Sequence, residues 1–369
     1  MKLTIGKDQL MLGLQAVQNV VGSRTTMAIL NNILLNARDG RLQVTGTDLD
    51  ISVTCPVVAQ ISTPGAITLP ARKFIGIVRE LGSPEIELSL DEKKQCSIRS
   101  GSSFYKINGL AAEDYPPLPQ FKEVRRVVIQ QETLRAMLKK TAFAVSADES
   151  RFVLNGIFFS LKDHKATLVA TDGRRLALTD GEAEIPTESQ GDFIVPTKAI
   201  NELTRLLQGT GSLELNFSEN QVAFTLKGEN GFDTVITSKL VDGSYPNYRQ
   251  VIPAEPLERV AIPREEFLAA LKRAEIMTSD KSNSVKLAFG RNQLTITANT
   301  PEVGEGQETL AINYKGKEMA IAFNPTYLMD PLKAVETEEV YFELIDELSP
   351  GVLKINEPFL YVIMPMRMS

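Results

Sequence analysis

Three stretches of this 369-residue chain repeat one another in the same order, and a chain built from copies is constrained to fold as copies. Leu3-Thr4-Ile5 recurs as Val127-Val128-Ile129 and as Val260-Ala261-Ile262. Apolar residues at helical spacing follow each triplet: Leu10, Leu14, Val17 and Val21; Leu134, Leu138, Thr141 and Val145; Phe267, Leu271 and Ala274. The spacing predicts helices over 7–21, 131–146 and 263–277. Residues 33–48 and 157–172 then align without a gap, 124 positions apart, as hairpins turning at Asp39-Gly40 and at Asp163-His164-Lys165. In the third copy, 285–299 turns at Gly290-Arg291-Asn292. A second helix is predicted in every copy, over 71–82, 197–208 and 325–336, each introduced by a proline where a missing N–H costs little. Alternating strands follow at 85–90, 213–217 and 340–344. The expected fold is α+β: three tandem domains, 1–124, 125–255 and 256–369, each with two helices on one side of antiparallel sheet.

Composition narrows the function. No apolar run approaches the ~18–20 residues of a membrane-spanning helix. The start, Met1-Lys2-Leu3-Thr4-Ile5-Gly6-Lys7-Asp8, places charge where a secretory signal needs apolar residues, so a cytoplasmic location is expected. Two cysteines, Cys55 and Cys96, make neither a disulfide framework nor a zinc site. The single histidine, His164, and the absence of a GxxxxGK[ST] phosphate loop argue against an enzyme. No metal or cofactor is expected. Asp48 and Asp172 recur at one place in two copies, with Asn299 in the third, which points to Asx-type turns rather than metal ligands.

The formal net charge is −6, unlike an ordinary groove-reading DNA binder. In chain order, however, the six helical segments carry 0, +2, +2, +1, 0 and −1, leaving −10 on the remainder. Basic residues are concentrated on helices of an acidic protein.

Four motifs then become specific: Arg151-Phe152-Val153-Leu154-Asn155-Gly156, Thr171-Asp172-Gly173-Arg174-Arg175-Leu176, Tyr245-Pro246-Asn247-Tyr248-Arg249 and Met364-Pro365-Met366-Arg367. With the three-domain spacing, the chain resembles the bacterial DNA polymerase III sliding clamp family (beta subunit) along its full length. The resemblance implies a head-to-tail homodimer, a six-domain ring around duplex DNA that is not sequence-specific, and no catalytic activity. Two chains would supply about twelve helices, and at ~8–10 Å spacing these line an opening roughly 35 Å across. A duplex fits with room for water, so the interaction is screened and sequence-blind.

The resemblance also implies a groove for short Gln/Leu/Phe-type motifs on polymerase subunits, the clamp loader and other partners. Its wall would comprise Leu154, Thr171, Gly173, Arg174, Leu176, Pro246, Gln250, Val251, Tyr327, Val362, Met364, Pro365 and Met366, with Arg151 and Arg367 holding polar atoms. Arg174 and Gln250 depart from the family's residue types. The methionine-rich tail fits a groove for varied ligands, and Pro365 is expected to take the last residues out of the sheet. Arg24, Arg72, Lys73 and Lys198 are either solvated charges or DNA contacts; Asp148, Phe152 and Val153 replace the polar DNA contacts the family would place there. The implied dimer interface includes Lys73, Tyr105, Ile107, Ile276, Met277, Glu302, Glu305 and Glu308. The alternatives are a hydrolase using carboxylate pairs and an interaction scaffold that never encircles DNA.

Overall fold

The computed structural model describes residues 1–22, 27–119, 124–228, 232–253, 255–279, 283–301 and 304–367; Arg24, Glu302 and Met368 lie outside them. All six helices are present: α1 (Lys7–Val17), α2 (Ala71–Glu80), α3 (Gln131–Thr141), α4 (Thr197–Leu206), α5 (Arg264–Glu275) and α6 (Pro325–Ala334). The first helix of each copy is shorter than its periodicity predicts. After α1, Val20 N–H bonds Val17 O; α3 runs into the tighter turn Ala142–Ala144; after α5, Ile276 and Met277 bond Arg273 O and Ala274 O. Such turns keep the stripe buried without being α-helix, since Val20 and Ala144 are fully covered.

Each copy fastens its two helices in the same way. The first residue of the first helix reaches the end of the second: Lys7 Nζ donates to the carbonyls of Arg79 and Leu81, and Gln131 Oε1 accepts the N–H of Gln208. Arg264 donates to Leu332 O at 3.1 Å and Thr337 O at 2.8 Å. These bonds satisfy backbone groups that every helix end leaves open. The hairpins also match their sequences. Asp39 and Gly40 have φ 51° and 72°, and Asp163 and His164 have 50° and 61°, as a two-residue turn between twisted strands requires.

The strands depart from one sheet per repeat. The described residues form two compact units: 1–135, 183–190 and 198–241 in one, 136–182, 191–197 and 242–369 in the other. The middle repeat contributes to both. In the first unit an eight-stranded antiparallel sheet runs Arg125–Gln130, Ser212–Phe217, Gln221–Leu226, Thr234–Lys239, Ile51–Val58, Arg41–Thr47, Asn32–Arg38, Gly65–Pro70. Half comes from the second repeat and half from the first. They join where Thr234–Lys239 pairs with Ile51–Val58, Ile236 opposite Val53. The second unit has the same construction across the next boundary. Its sheet runs Gly191–Pro196, Gly156–Lys162, Lys165–Thr171, Arg175–Glu182, Phe359–Ile363, Gly351–Lys354, Glu339–Leu344, Glu258–Pro263, with Tyr361 opposite Ala177 at the joint. Sequence boundaries are therefore crossed by continuous hydrogen-bond ladders.

One half-sheet of each kind is left over. The first unit also holds Gln60–Thr63, Lys2–Gly6, Glu85–Leu90, Gln95–Ser100, Ser103–Asn108; the second also holds Gly304–Ala311, Gln293–Thr300, Val285–Gly290, Met319–Phe323. Helix stripes cover these sheets, and Leu10, Leu14, Phe74, Phe159, Phe217, Phe267 and Phe323 are at most 1% exposed. Each such side chain contributes about 1.5–3 kcal/mol of burial. Among the described residues no helix is long and apolar enough to cross a membrane.

Candidate functional site

The second unit's sheet joint is apolar. Leu176 lies opposite Val362 in the register, and with Val169 and Val352 they form a buried cluster. Phe158, Leu178, Tyr245, Tyr248, Ile252 and Leu360 pack against it while remaining partly accessible. Tyr245 stacks on Phe158 with ring centroids 5.0 Å apart. At the rim Val251, Met364 and Met366 are 47%, 43% and 40% exposed, and Pro246 and Gln250 are exposed. An apolar floor with accessible aromatic and methionine walls is a surface that gains free energy by covering extended apolar side chains. Leu154, expected in the wall, is 8% exposed and belongs to the core, as does its counterpart Leu30 in the first repeat.

One edge of this surface is set by Asp172. Its Oδ1 accepts the N–H groups of Arg174 and Arg175, the Asx-type turn expected from sequence, and Thr171 Oγ1 accepts Gly173 N–H at 3.1 Å. Gly173 has φ 84°, and an added Cβ would lie 2.9 Å from Arg151 Nη1. The positive φ is what calls for glycine here, since the exposed Arg151 side chain could move aside. Arg151 donates to Asp172 O at 3.2 Å and faces Asp148 at 3.5 Å. Bonds from Ser150 hold the Asp148 carboxyl below its usual range. Asp48 repeats the turn through Asp50 and Ile51 N–H, whereas Asn299 lies within the strand Gln293–Thr300.

Arg175 is the residue that sequence reasoning passed over. It follows another arginine, and nothing local distinguishes Arg174, which is exposed, from Arg175, whose side chain is 9% exposed. Its guanidinium donates to Asp330 Oδ2 at 2.5 Å, Asp172 Oδ2 at 3.1 Å and Phe143 O at 2.6 Å, and lies 4.3 Å from the centre of the Tyr327 ring. Burial works against its charge, but the bond to Asp330, with Tyr361 and Asp172 nearby, outweighs this and keeps it more basic than usual. Tyr361 donates to Tyr327 O at 2.7 Å. Arg175 thereby fixes Tyr327 against the loop carrying Thr171, Gly173 and Arg174.

The tail leaves the joint but is not free. Phe359–Ile363 ends the strand, Met364 N–H still bonds Arg174 O at 2.9 Å, and Met366 N–H bonds Ala322 O at 2.8 Å. Pro365, without an N–H, falls between the two bonds, so the chain crosses from one sheet to another. Arg367 is exposed.

Equivalent positions organise the basic residues. Arg72, Lys198 and Thr326 are the second residues of α2, α4 and α6. Arg72 and its neighbour Lys73 are exposed; Lys198 donates to the free oxygen of Asp48 and is not a lone charge. Thr326 instead bonds Glu275 at 2.9 Å, so α6 presents no cation there.

The residues expected at a dimer interface divide similarly. Tyr105 is 44% exposed, and it and Ile107 lie on Ser103–Asn108, the outer strand of its sheet. Ile276 is 73% exposed, whereas Met277 lies against its own strand Gly304–Ala311, with Cγ 2.8 Å from where a Cβ on Gly306 would stand. Glu305 is exposed on that strand. Glu308 is not an open carboxylate, because Arg273 holds it at 2.6 and 2.9 Å and depresses its pKa. Among the described residues no three of His, Cys, Asp or Glu are grouped to hold a metal.

Comparison with known proteins agrees with this construction. The profiles of the DNA polymerase III beta subunit match in three parts: N-terminal domain at 1–119, central domain at 128–247, C-terminal domain at 249–367. The beta sliding clamp of Chlamydia muridarum is 35% identical over all of this chain and 99% of its own length. That of Escherichia coli K12 is 36% identical over the whole of both. Among solved structures, the Pseudomonas aeruginosa sliding clamp bound to griselimycin superposes with TM-score 0.95 at 33% identity, and the Bacillus subtilis clamp with 0.94 at 32%, each over the whole of both chains.

Proposed function

Since the chain belongs to the DNA polymerase III beta subunit family, we infer that it is a sliding clamp: a non-catalytic ring that encircles duplex DNA and tethers polymerases to it. The observation that carries the closed form is the pair of leftover sheet edges. Three repeats supply three strands like Ile51–Val58 and three like Thr234–Lys239, but only two pairs form within the chain. Gly304–Ala311 and Ser103–Asn108 are the remaining pair, each at the edge of its own sheet. Following the registers through each repeat makes Tyr105 the counterpart of Ile236 and Tyr361, and Gly306 the counterpart of Val53 and Ala177. A second copy completes both edges head to tail, with Tyr105 of one protomer opposite Gly306 of its partner. Exposed Ile276 is apolar surface to be covered at this joint. Six repeats and twelve helices then surround the duplex.

Arg72 and Lys73 on α2, with Arg24 by resemblance to the family, supply the cationic lining, and Lys198 joins them by exchanging Asp48 for phosphate. Weak, sequence-blind attraction of this kind is what sliding requires. The surface around Leu176, Val362, Met364 and Met366 takes the apolar residues of short motifs on polymerase subunits, the clamp loader and other partners, with Arg151 and Arg367 at its polar margin. The site of action is the cytoplasm, with the chromosome.

The test is topological. Loaded protein should remain on closed circular DNA and be lost from linear DNA through its ends; equal retention on both overturns the ring. Deleting 364–369 should abolish binding of a Gln/Leu/Phe-type peptide with the oligomer intact, and retained affinity overturns the groove.

A further inference from the structure

Both joints within the chain carry, besides the strand ladder, a polar tie between a first helix and the end of a second helix or the residues just after it. In the first, Arg205 in the last turn of α4 donates to the carbonyls of Gln15 and Ala16 at the end of α1, at 3.0 and 2.7 Å. Glu202, 10% exposed, clamps the guanidinium at 2.5 Å. These carbonyls belong to the last turn of α1, where a helix leaves acceptors open and carries its negative dipole end. In the second joint the tie is of another kind. Lys333, the counterpart of Arg205, stays by Asp330 at 3.9 Å, while Lys139 of α3 meets Glu336 at 2.5 Å.

The joint between copies has the parts for only the first kind. Helix starts at 71, 197 and 325 make Arg79 the counterpart of Arg205 and Lys333, and place Gly82 where Glu336 stands. Gly82 has no side chain to offer a lysine. Arg79 is exposed, and its side chain makes no hydrogen bond or ion pair among the described residues. Its own carbonyl is held by Lys7 Nζ at 2.9 Å, so the end of α2 that carries it is fixed. Helix starts at 7, 131 and 264 make Lys272 and Arg273 the counterparts of Gln15 and Ala16. The positive side chain of Arg273 is already answered by Glu308 at 2.6 Å. Arg273 O accepts the Ile276 N–H at 3.3 Å, but a carbonyl has a second lone pair, so the end of α5 can still receive a cation there and at Lys272 O.

We propose that Arg79 ties α2 to the last-turn carbonyls of α5, those of Lys272 and Arg273, in a second copy of this chain. The inference rests on the head-to-tail dimer and names the residue that locks it. Glu202 corresponds to Gly76, so Arg79 has no carboxylate clamp and is ordered only when the second copy arrives. The tie is therefore made and broken with the ring, and adds nothing to the folded protomer.

Sedimentation of the full chain tests this. Arg79→Ala should raise the dimer dissociation constant about tenfold, the scale of one charged hydrogen bond, with Arg79→Lys in between and the melting temperature of the dilute protomer unchanged. A wild-type chain that stays monomeric at micromolar concentration overturns the dimer itself. A wild-type dimer whose affinity Arg79→Ala leaves unmoved overturns the tie alone. As a second measurement, Arg79→Cys mixed with Lys272→Cys should be cross-linked by a short bismaleimide into a species of twice the mass. Absence of that species in a mixture that sediments as dimer also overturns the tie.

Discussion

The two joints built inside this chain share a backbone and differ in chemistry. Thr234–Lys239 on Ile51–Val58, and Phe359–Ile363 on Arg175–Glu182, are the same antiparallel pairing in the same register. In the second unit the four central positions are Val169, Leu176, Val352 and Val362; in the first they are Thr45, Ser52, Ala223 and Thr237. Beside them, Lys239 and Asp50 form an ion pair at 2.9 Å where Met364 and Arg174 meet only through backbone. Thr45 and Thr54 hydroxyls bond each other at 3.1 Å. At the proposed joint between copies the same four places hold Thr297, Glu305, Ser97 and Lys106. A strand ladder uses main-chain groups alone, so one framework makes both joints and suits the proposed third. Side chains are then free to diverge, and one of the two joints within the chain has an apolar floor. Repetition supplies the shared strand pairing; departure from repetition supplies the apolar surface.

The largest test of that contrast is Arg175, which has no counterpart in the first unit, where Ile51 stands. Arg175→Met strands Asp172 and Asp330 and should cost about 3–5 kcal/mol by denaturant unfolding. A loss below about 1 kcal/mol would show that the loop and α6 are held by packing alone. Leu176→Ser places the first joint's residue in the second. It should cost about 2–4 kcal/mol and lower affinity for a Gln/Leu/Phe-type peptide at least tenfold in fluorescence anisotropy. Unchanged affinity would move the receptor elsewhere. The reverse transplant, Thr45→Val with Ser52→Leu, Ala223→Val and Thr237→Val, should create no measurable peptide site. The first unit lacks the Tyr248, Val251 and methionine walls, and binding there would show that four floor residues suffice.

The smallest effect belongs to Glu336, whose exposed pair with Lys139 is screened by water. The bond to Lys139 lowers its carboxyl pKa, so any stabilisation is present above the usual carboxylate range and is lost as pH falls through the folded value. Wild type and Glu336→Gln should melt together at pH 3 and nearly together at pH 7. A clear gap at pH 7 would make the second joint's tie stronger than its exposure allows.

Much of the fold is legible along the chain because its signals are local. Helical stripes, hairpin turns and the Asp48 and Asp172 loops depend on residues within a few positions of one another. Pairing across repeat boundaries is not local: Ile236 and Val53 are neighbours only through the ladder, and nothing in either segment names the other. The candidate site was read in part. Leu176, Val362 and Met364 follow from the resemblance, while Phe158 and Val352 join them through the register and Tyr245 and Tyr248 through packing of the segment before Ile252. Arg174 and Arg175 look alike in sequence, as do Ile276 and Met277. Which member is covered depends on what another segment brings against it.

Residue order alone specifies three copies of one alternating pattern, two helices to each copy, and a family identity carried along its whole length. Periodicity and turn chemistry are short-range consequences of residue order. Long-range packing set which strands share a sheet, which edges stay open, and which of the two joints within the chain exposes an apolar floor. Those outcomes depend on contacts between residues far apart in the chain, and a side chain's burial is a property of its neighbours.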